Sequence, residues 1–553
     1  MRGRSLVARS VAAQVFALAA LLSFDVSAED APAIGETVAA PSPAVPAQEQ
    51  VPPPQAPDAS SAGDAATPGA NPPEQIVQAS APAHPVVAGI RAKLADPSLG
   101  KAASADDVAA LQSFYRERTE PPIFVTDMGF TFNAQGAINE IGKAEDWGLS
   151  LSAFDLPIAG ALTATPDAQA DAEIKLALAI LKYARYARGS RVQPAQLSKL
   201  LDQAPALRNP MTVLAEISVS SAPDAYLRSL HPKHPQFERL RQALLKARAA
   251  PSRNERDIQR LVINLERWRW MPENLGPVYV QDNVPEFMLY VVKDGKTIHS
   301  DKIVVGELKY ATPIFSADMR TIVFNPEWTV PETIVRENLL PKLRGGWGST
   351  SVLREHELKV RYNGKIVDPG SVNWNSVNMG SIAFVQGPGP NNVLGHLKFL
   401  YPNKHVVYMH DTIKKGLFDP AMRAEGHNCI RMSDPPKLAS VLLAEDKGWP
   451  AQKINELISV GNNTPVQLGR PIPVHTTYFT AMVDEQGKLR MFGDIYGLDA
   501  KVSAALGKPV NFSTPAAEAS ADAAATNEPA TTASAPKPKK EEVAGPIPGT
   551  FGN

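Results

Sequence analysis

The chain has 553 residues, 44% of them hydrophobic, which is enough to bury a sizeable core and predicts about two to four domains. Lys plus Arg total 56 and Asp plus Glu total 57, so the formal net charge of -1 gives no electrostatic field that would attract nucleic acid. We therefore expect no nucleic acid among the partners of this protein.

The first 28 residues have the pattern of an export signal. Arg2, Arg4 and Arg9 form a basic segment, residues 11–24 are a short apolar run, and the small residues at 26–28 offer a cleavage point. The apolar run is shorter than the ~20 residues that a membrane-spanning helix needs, which favours a cleaved signal peptide over an uncleaved membrane anchor. The sequence thus predicts an exported protein.

Two flanking segments have low sequence complexity. Residues 29–85 consist largely of Ala, Pro, Ser and Gln, and residues 512–553 have a similar composition. Such segments have too few large apolar side chains to bury a core, so we predict a disordered tether before the folded region and a disordered tail after it.

Residues 86–250 predict a helical scaffold domain. Ser104 and Asp107 form a capping-box pattern before an apolar stripe, and Gly189 follows a second stripe as a stop signal. A connecting helix within 251–277 ends at Pro272. The apolar positions at helical spacing are Val108, Leu111, Phe114 and Tyr115; Ile174, Leu178 and Leu181; Phe237, Leu240 and Leu244; and Ile258, Leu261, Val262, Leu265 and Trp268.

From residue 278 to 497 the hydrophobic pattern changes to a period of two, which predicts a β-rich domain. Residues 339–374 interrupt this pattern with Gly, Arg and Asn, which is typical either of a mobile flap beside a site or of a surface insertion. The fold class is therefore α+β. The predicted strands are 286–292, 302–305, 321–325, 382–385 and 406–410, and the predicted hairpin turns are Asp294-Gly295, Asn363-Gly364 and Gln486-Gly487.

Cys429 is the only cysteine, and a single cysteine in an exported protein cannot form an internal disulfide. A thiol becomes a strong nucleophile once a neighbouring base accepts its proton, and His410 is the candidate base. Strand alternation would place Val406, Tyr408 and His410 on one face. Cysteine-dependent acyl transfer is the reaction that this pair of residues favours.

The residues around Cys429 suggest further roles. Gly426 permits a tight turn, and the backbone N–H groups of Asn428 and Cys429 are candidate donors to a developing oxyanion. His427 either tunes the thiolate or packs in the turn. Arg431 either binds a substrate carboxylate or makes an internal salt bridge.

Two other readings of Cys429 remain open at this point. The residue could be a buried small hydrophobe. It could also bind a metal ion, but no tight pair such as HExxH or CxxC is present, so we predict neither a metal nor a cofactor. The histidines that could join it as ligands are His396, His405, His410 and His427.

Several ordered segments resemble the L,D-transpeptidase catalytic family in its large periplasmic form with an N-terminal scaffold domain. The resemblance covers about residues 90–497. The segments are NLERWRWMP, VVG at 304–306, TPIF, FNPEWTVP, GPGPNNVLGHLKF, PNKHVVYMHDT and GHNCIRM.

The resemblance implies a periplasmic enzyme that remodels peptidoglycan without a cofactor. Cys429 would attack the carbonyl of the third residue of a stem tetrapeptide and expel the terminal D-alanine, and an amine of a second stem would then resolve the thioester into a 3-3 cross-link. It further implies acylation by carbapenem-type β-lactams.

By position in the family motifs, the resemblance implies roles for individual residues. Cys429 matches the nucleophile, His410 the general base and His427 the supporting histidine. Tyr408 and Arg431 match substrate-binding positions, and residues 339–374 match the flap over the substrate groove.

Two departures from the family pattern leave alternatives open. Asn428 replaces the glycine that usually precedes the nucleophile, and the chain has only a short connection where large members often carry a peptidoglycan-binding module. The alternatives are an L,D-carboxypeptidase, an enzyme that attaches proteins to peptidoglycan, and a catalytically blunted wall-binding scaffold. Candidate partners besides the stem peptides are cell-wall synthesis and outer-membrane proteins.

Overall fold

The computed structural model describes residues 84–157, 165–345, 349–508 and 512. The predicted signal peptide, the tether up to residue 83 and the tail from residue 513 onwards lie outside the described residues. None of the helices in the described ranges has both the length and the apolar character that crossing a membrane requires.

The scaffold region is helical, as predicted. Its first long apolar stripe forms a helix that follows Ser104, but the Ser104 side chain makes no capping hydrogen bond, and buried Asp107 pairs instead with Arg185 at 2.7 Å. The helices here are α1 (Pro85–Leu94), α2 (Leu99–Ala102), α3 (Ala105–Arg116), α4 (Phe132–Ile141), α5 (Pro166–Ala187), α6 (Pro194–Leu197), α7 (Pro210–Ser218), α8 (Pro223–Ser229) and α9 (Pro235–Ala249). The hairpin of β1 (Val125–Thr126) and β2 (Gly129–Phe130) lies among them.

The predicted connecting helix, α10 (Glu255–Trp270), is more than a link between regions. Almost all of its residues are buried, including charged ones. Asn264 donates to Thr480 Oγ1 at 2.9 Å, and Arg267 pairs with Asp499 at 2.5 Å, so α10 is bonded to the end of the β-rich region. Gly189 allows α5 to end against it, because a Cβ there would lie 2.7 Å from Arg269 O. The scaffold and the β-rich region therefore pack on the same helix.

The β-rich region is built on a nine-stranded sheet whose pairings form a ring. The strand order is β13-β5-β14-β12-β11-β6-β15-β3-β4, and β4 pairs with β5 again. Its strands are β3 (Val278–Asn283), β4 (Met288–Lys293), β5 (Lys296–Gly306), β6 (Ser316–Phe324), β11 (Leu397–Leu400), β12 (Met409–His410), β13 (Ala424–Gly426), β14 (Ile430–Met432) and β15 (Thr464–Thr477). Helices α14 (Pro435–Lys447), α15 (Ala451–Val460) and α16 (Leu498–Ala505) accompany it.

The predicted hairpin turns are confirmed, and two predicted strands are wrong in part. The strand predicted at 286–292 begins only at Met288, because Phe287 has φ of 59°. Asp294 and Gly295 have φ of 48° and 76°, the left-handed values of a tight hairpin turn, and they join β4 to β5. The turn Gln486-Gly487 joins β16 (Ala481–Val483) to β17 (Leu489–Met491). The strand predicted at 406–410 is shorter, because Val406 has φ of 57° and lies in a turn before β12.

The interrupting segment is a folded insertion, larger than the predicted flap at 339–374. Its four-stranded sheet has the order β7-β10-β8-β9 and encloses its own apolar cluster, which includes Trp374 and Phe384. The elements are β7 (Trp328–Thr329), α11 (Glu332–Ile334), α12 (Leu340–Leu343), α13 (Ser351–Glu355), β8 (Leu358–Tyr362), β9 (Lys365–Val367) and β10 (Ile382–Gln386). We call residues 328–386 the flap insertion.

Asp282 is an unusual residue in the core of the nine-stranded sheet. It is fully buried on β3, and neither carboxylate oxygen has a hydrogen-bond partner among the described residues. Burial raises the pKa of Asp282 to about 8. The folded state therefore binds a proton more tightly than the unfolded state, so stability is lost as pH rises from about 4 to about 8.

We expect Asp282→Asn to remove this loss, because the amide has no charge to bury. Between pH 4 and pH 9, the free energy of unfolding of the parent should fall relative to that of the variant by on the order of 5 kcal/mol. Urea unfolding at both pH values measures the difference, with Asp318→Asn, at an exposed position of the same sheet, as the control. Equal pH dependence in Asp282→Asn and the parent chain would contradict this expectation.

Candidate active site

Parallel pairing of β12 with β14 places the two predicted catalytic residues on neighbouring strands, with Cys429 directly before β14. Met409 lies opposite Ile430 and His410 opposite Arg431. One step earlier, the Ile430 N–H donates to Tyr408 O at 3.2 Å, which places Tyr408 beside Cys429. The long loop between His410 and Cys429 thus returns to form a neighbouring strand.

The site lies on the face of these strands that points away from the main core. Strand residues alternate between faces, and the core members are Leu397, Phe399, Val407, Met409, Ile430 and Met432. The residues that alternate with them are Lys398, Tyr408, His410, Cys429 and Arg431. The predicted shared face of Tyr408 and His410 is therefore confirmed, and Lys398 from β11 joins it.

The turn before Cys429 is hydrogen-bonded to the segment that follows β5. Asn428 N–H donates to Tyr310 O at 3.0 Å, and Asn428 O accepts from Thr312 Oγ1 at 2.9 Å. The Tyr310 ring stacks on His427 with centroids 3.7 Å apart. Gly426 is required here, because a Cβ would lie 2.7 Å from Val305 O. These contacts fix the backbone that carries the thiol.

Asn428 adopts the left-handed conformation, with φ of 57°. This is the conformation that a glycine at this position would take most readily, and Asn tolerates it better than most residues do. The departure from the family's glycine is therefore compatible with the turn.

The two predicted oxyanion donors are both occupied in this structure. Besides the bond from Asn428 to Tyr310, the Cys429 N–H donates to His427 O at 2.6 Å across a three-residue turn. Either amide would face a substrate only after it releases its present acceptor. Their role as an oxyanion hole stays a prediction.

His410 is buried and has a defined tautomer. Its Nδ1 lies 2.5 Å from Asp411 O, and because a carbonyl oxygen only accepts, Nδ1 carries the proton and Nε2 keeps its lone pair. Burial, followed by the positive charge of Arg431, lowers the pKa of His410 to about 3. The ring is therefore neutral at physiological pH and able to accept a proton at Nε2.

The Cys429 thiol experiences opposing influences. Burial raises its pKa, although the residue as a whole is only half-buried. Hydrogen bonding with Tyr408, through its backbone and its hydroxyl, and the positive charges of Lys398 and Arg431 lower the pKa of the thiol. Tyr408, rather than His410, is the hydrogen-bonding neighbour of the thiol in this structure.

The remaining predicted residues line the same site. Arg431 has no salt bridge among the described residues, so the internal ion pair considered for it is not observed. Burial lowers the pKa of His427, while the charges of Glu307 and Glu337 oppose that change. Glu337 lies in the helical segment between α11 and α12, so the flap insertion contributes charge to the site.

The histidines considered as metal ligands have other partners. The His405 Nε2–H donates to Asp202 Oδ2 at 2.8 Å, and His396 Nδ1 lies 3.3 Å from Asn325 Oδ1. Across the described ranges, no three His, Cys, Asp or Glu side chains are grouped as metal ligands would be.

Sequence reasoning missed three residues of the site. Thr312 is buried, and its hydroxyl accepts from Gly306 N–H at 2.9 Å while it donates to Asn428 O. Tyr310 contacts the turn through its carbonyl and its ring. Lys398 could have been found from its alternation with Leu397 and Phe399, but a lysine on the outer face of a strand is usually only a solvated side chain.

We expect Asn428→Ala to destabilise the protein by about 1 kcal/mol, because alanine is strained in the left-handed region. Asn428→Gly should stay within a few tenths of a kcal/mol of the parent chain, since glycine has no Cβ. Urea unfolding of the two variants side by side provides the comparison. Equal free energies of unfolding for Asn428→Ala and Asn428→Gly would show that residue 428 is not held in the left-handed conformation.

Both folded regions match known families. Residues 109–244 match the model of the Scaffold domain, and residues 277–468 match the model of the L,D-transpeptidase catalytic domain, YkuD. A Haemophilus influenzae protein, provisionally described as an L,D-transpeptidase, is 31% identical over 257 residues, which are 46% of this chain and 51% of that protein. This chain therefore spans about half the length of the curated relative.

Three solved structures are similar to 36% of this chain, each with a TM-score of 0.18. They are the carbamoyl enzyme of Ldtfm with avibactam (13% identity, 49% of that chain), an L,D-transpeptidase from Mycobacterium smegmatis (10%, 58%) and the LD transpeptidase LdtMt1 in complex with imipenem (11%, 59%). The family assignment rests on the sequence matches. In these matches, a region similar to an L,D-transpeptidase catalytic domain follows a region similar to a Scaffold domain.

Proposed function

We propose that this protein is a periplasmic peptidoglycan L,D-transpeptidase that forms 3-3 cross-links through a thioester on Cys429. The observation that carries the proposal is the strand pairing that gathers the single thiol, a neutral histidine and two cations on one face. The match of residues 277–468 to the catalytic-domain family supports the same reaction class.

In the first half-reaction, Cys429 attacks the carbonyl of the third residue of a donor stem tetrapeptide. The thiol proton passes to Nε2 of His410, and the sulfur–carbon bond forms as the electron pair of the carbonyl moves to its oxygen. When the tetrahedral intermediate collapses, the bond to the terminal D-alanine breaks. Its amine leaves with the proton that His410 held, and a thioester remains on the enzyme.

In the second half-reaction, an amine of another stem peptide attacks the thioester carbonyl. The amine loses a proton to His410, the carbon–sulfur bond breaks, and the proton returns to the sulfur. The product is a new amide bond between two third-position residues. If water attacks instead, the product is a shortened stem, which is the carboxypeptidase alternative.

The side chains around the pair suit a peptide substrate with carboxylates. Arg431 makes no salt bridge among the described residues, although the charge of Glu425 acts on it, so its guanidinium is available for a substrate carboxylate. Tyr408 is half-buried beside the thiol and would contact the bound stem. His427, stacked on Tyr310, would support the turn through which the oxyanion is bound.

Asn428 also bears on the wall-binding alternative, in which the chemistry is blunted. Because Asn428 has the backbone conformation that glycine would take, the substitution is compatible with the turn that precedes Cys429. This supports a catalytic function over a purely binding one.

The test is to incubate the full chain with purified stem tetrapeptides and to identify the products by mass spectrometry. We expect peptide dimers, no dimers with Cys429→Ala, and a loss of about 100-fold or more with His410→Ala, since a positioned general base typically contributes that much. His356→Ala, at an exposed histidine of the flap insertion, should retain full activity.

The other outcomes separate the alternatives. Shortened stems without dimers would indicate a carboxypeptidase. No product from folded parent protein, or dimers that persist in Cys429→Ala, would overturn the proposed function.

A further inference from the structure

Lys398 is a half-buried cation on the same strand face as the candidate catalytic residues. It extends from β11, where it pairs with His410 across the strand ladder. Among the residues that the structure describes, no carboxylate pairs with its ammonium group. Other lysines near the site are paired: Lys415 with Asp411 and Lys404 with Asp202, each at 2.7 Å.

The position of the Lys398 side chain directs this unpaired charge towards Cys429. Its Nζ lies 4.0 Å from the ring centroid of Tyr408, and Tyr408 is the hydrogen-bonding neighbour of the thiol. An ionised Cys429 would raise the pKa of Lys398 and so oppose the effect of burial on the ammonium group. Burying an ammonium group without an anion is unfavourable, so the site is balanced only when an anion forms beside it.

We infer that Lys398 is the counter-ion of the Cys429 thiolate and that it thereby acts in catalysis. This inference rests on the proposed role of Cys429 as the nucleophile. When the S–H bond breaks, the electron pair stays on Sγ next to the ammonium group of Lys398, and the proton moves to Nε2 of His410. The total charge of the site does not change in this step.

The ammonium group of Lys398 stabilises the charged form of Cys429 but destabilises the charged form of His410. The charges of Arg431 and Lys398 both contribute to lowering the pKa of His410, after burial. The imidazolium that forms is therefore strongly acidic, which suits it to pass its proton to the departing amine. Lys398 thus stabilises the nucleophile and speeds the release of the proton from the base.

Alkylation of the thiol by iodoacetamide tests this directly, because the chain has a single cysteine and the reaction requires no peptidoglycan substrate. Rates are measured from pH 6 to pH 11 on the full chain. We expect Lys398→Met and Lys398→Gln to move the midpoint of the pH profile upwards by about one pH unit, as the loss of a nearby opposite charge does. At a pH below both midpoints, alkylation should be about tenfold slower.

Two further variants control for structural effects. Lys398→Arg keeps the charge and should restore the parent midpoint. Lys296→Met removes an exposed lysine from a strand of the same sheet and should leave the profile unchanged. Circular dichroism and thermal unfolding establish that each variant is folded, and Lys398→Gln serves if Lys398→Met is not.

An unchanged midpoint in folded Lys398→Met and Lys398→Gln would overturn the inference. In that case a raised KM for the stem tetrapeptide would assign Lys398 to substrate binding instead. A shifted midpoint in a protein that makes no product from stem peptides would leave Lys398 as the counter-ion and overturn only the proposed function.

Discussion

The candidate site depends on two residue pairs between β12 and β14, Met409 with Ile430 and His410 with Arg431. A parallel pairing requires a long connection, and here the loop from Asp411 to Asn428 provides it. Because side chains alternate along each strand, one register sends Met409 and Ile430 into the core and leaves His410 and Arg431 outside it. A shift by one residue would bury the catalytic groups and expose the core.

The electrostatics of the site follow from burial beside uncompensated positive charge. Burial alone would keep the Cys429 thiol protonated and the His410 ring neutral. The positive charges of Lys398 and Arg431 oppose the effect of burial on Cys429, because they favour the thiolate. They reinforce the effect of burial on His410, because they disfavour the imidazolium. In the proposed mechanism, the thiol and the imidazole are both neutral at rest, and charge separation develops as the substrate carbonyl is attacked.

Features of the structure that depend only on neighbouring residues were predicted correctly from the sequence. The shared face of Tyr408 and His410 and the hairpin at Asp294-Gly295 depend only on nearby residues, and both are observed. The strand β3 was missed because Gln281, Asp282 and Asn283 are polar yet buried, whereas a hydropathy pattern assigns such residues to the surface. The sequence around Lys398 does not reveal which strand β11 pairs with, so its place beside the thiol required the three-dimensional structure.

The turn before β12 shows why the predicted strand at 406–410 is too long. The Asn403 side chain accepts from His405 N–H at 3.0 Å and Val407 N–H at 3.1 Å, which holds Val406 in a left-handed conformation with its side chain 77% exposed. A side chain that hydrogen-bonds to backbone amides in this way competes with strand formation. Asp202 of the scaffold also pairs with His405, so the scaffold region fixes the entry to the catalytic strand.

The claim that Cys429 carries the acyl group is tested most directly by trapping the intermediate. The full chain is mixed with donor tetrapeptide alone and quenched in acid, and the adduct is located by mass spectrometry of proteolytic peptides. The account predicts a thioester on the peptide that contains Cys429, with the mass of the donor less its terminal D-alanine, and its removal by hydroxylamine. An adduct on another residue, or product formation from folded protein with Cys429 never modified, would contradict it.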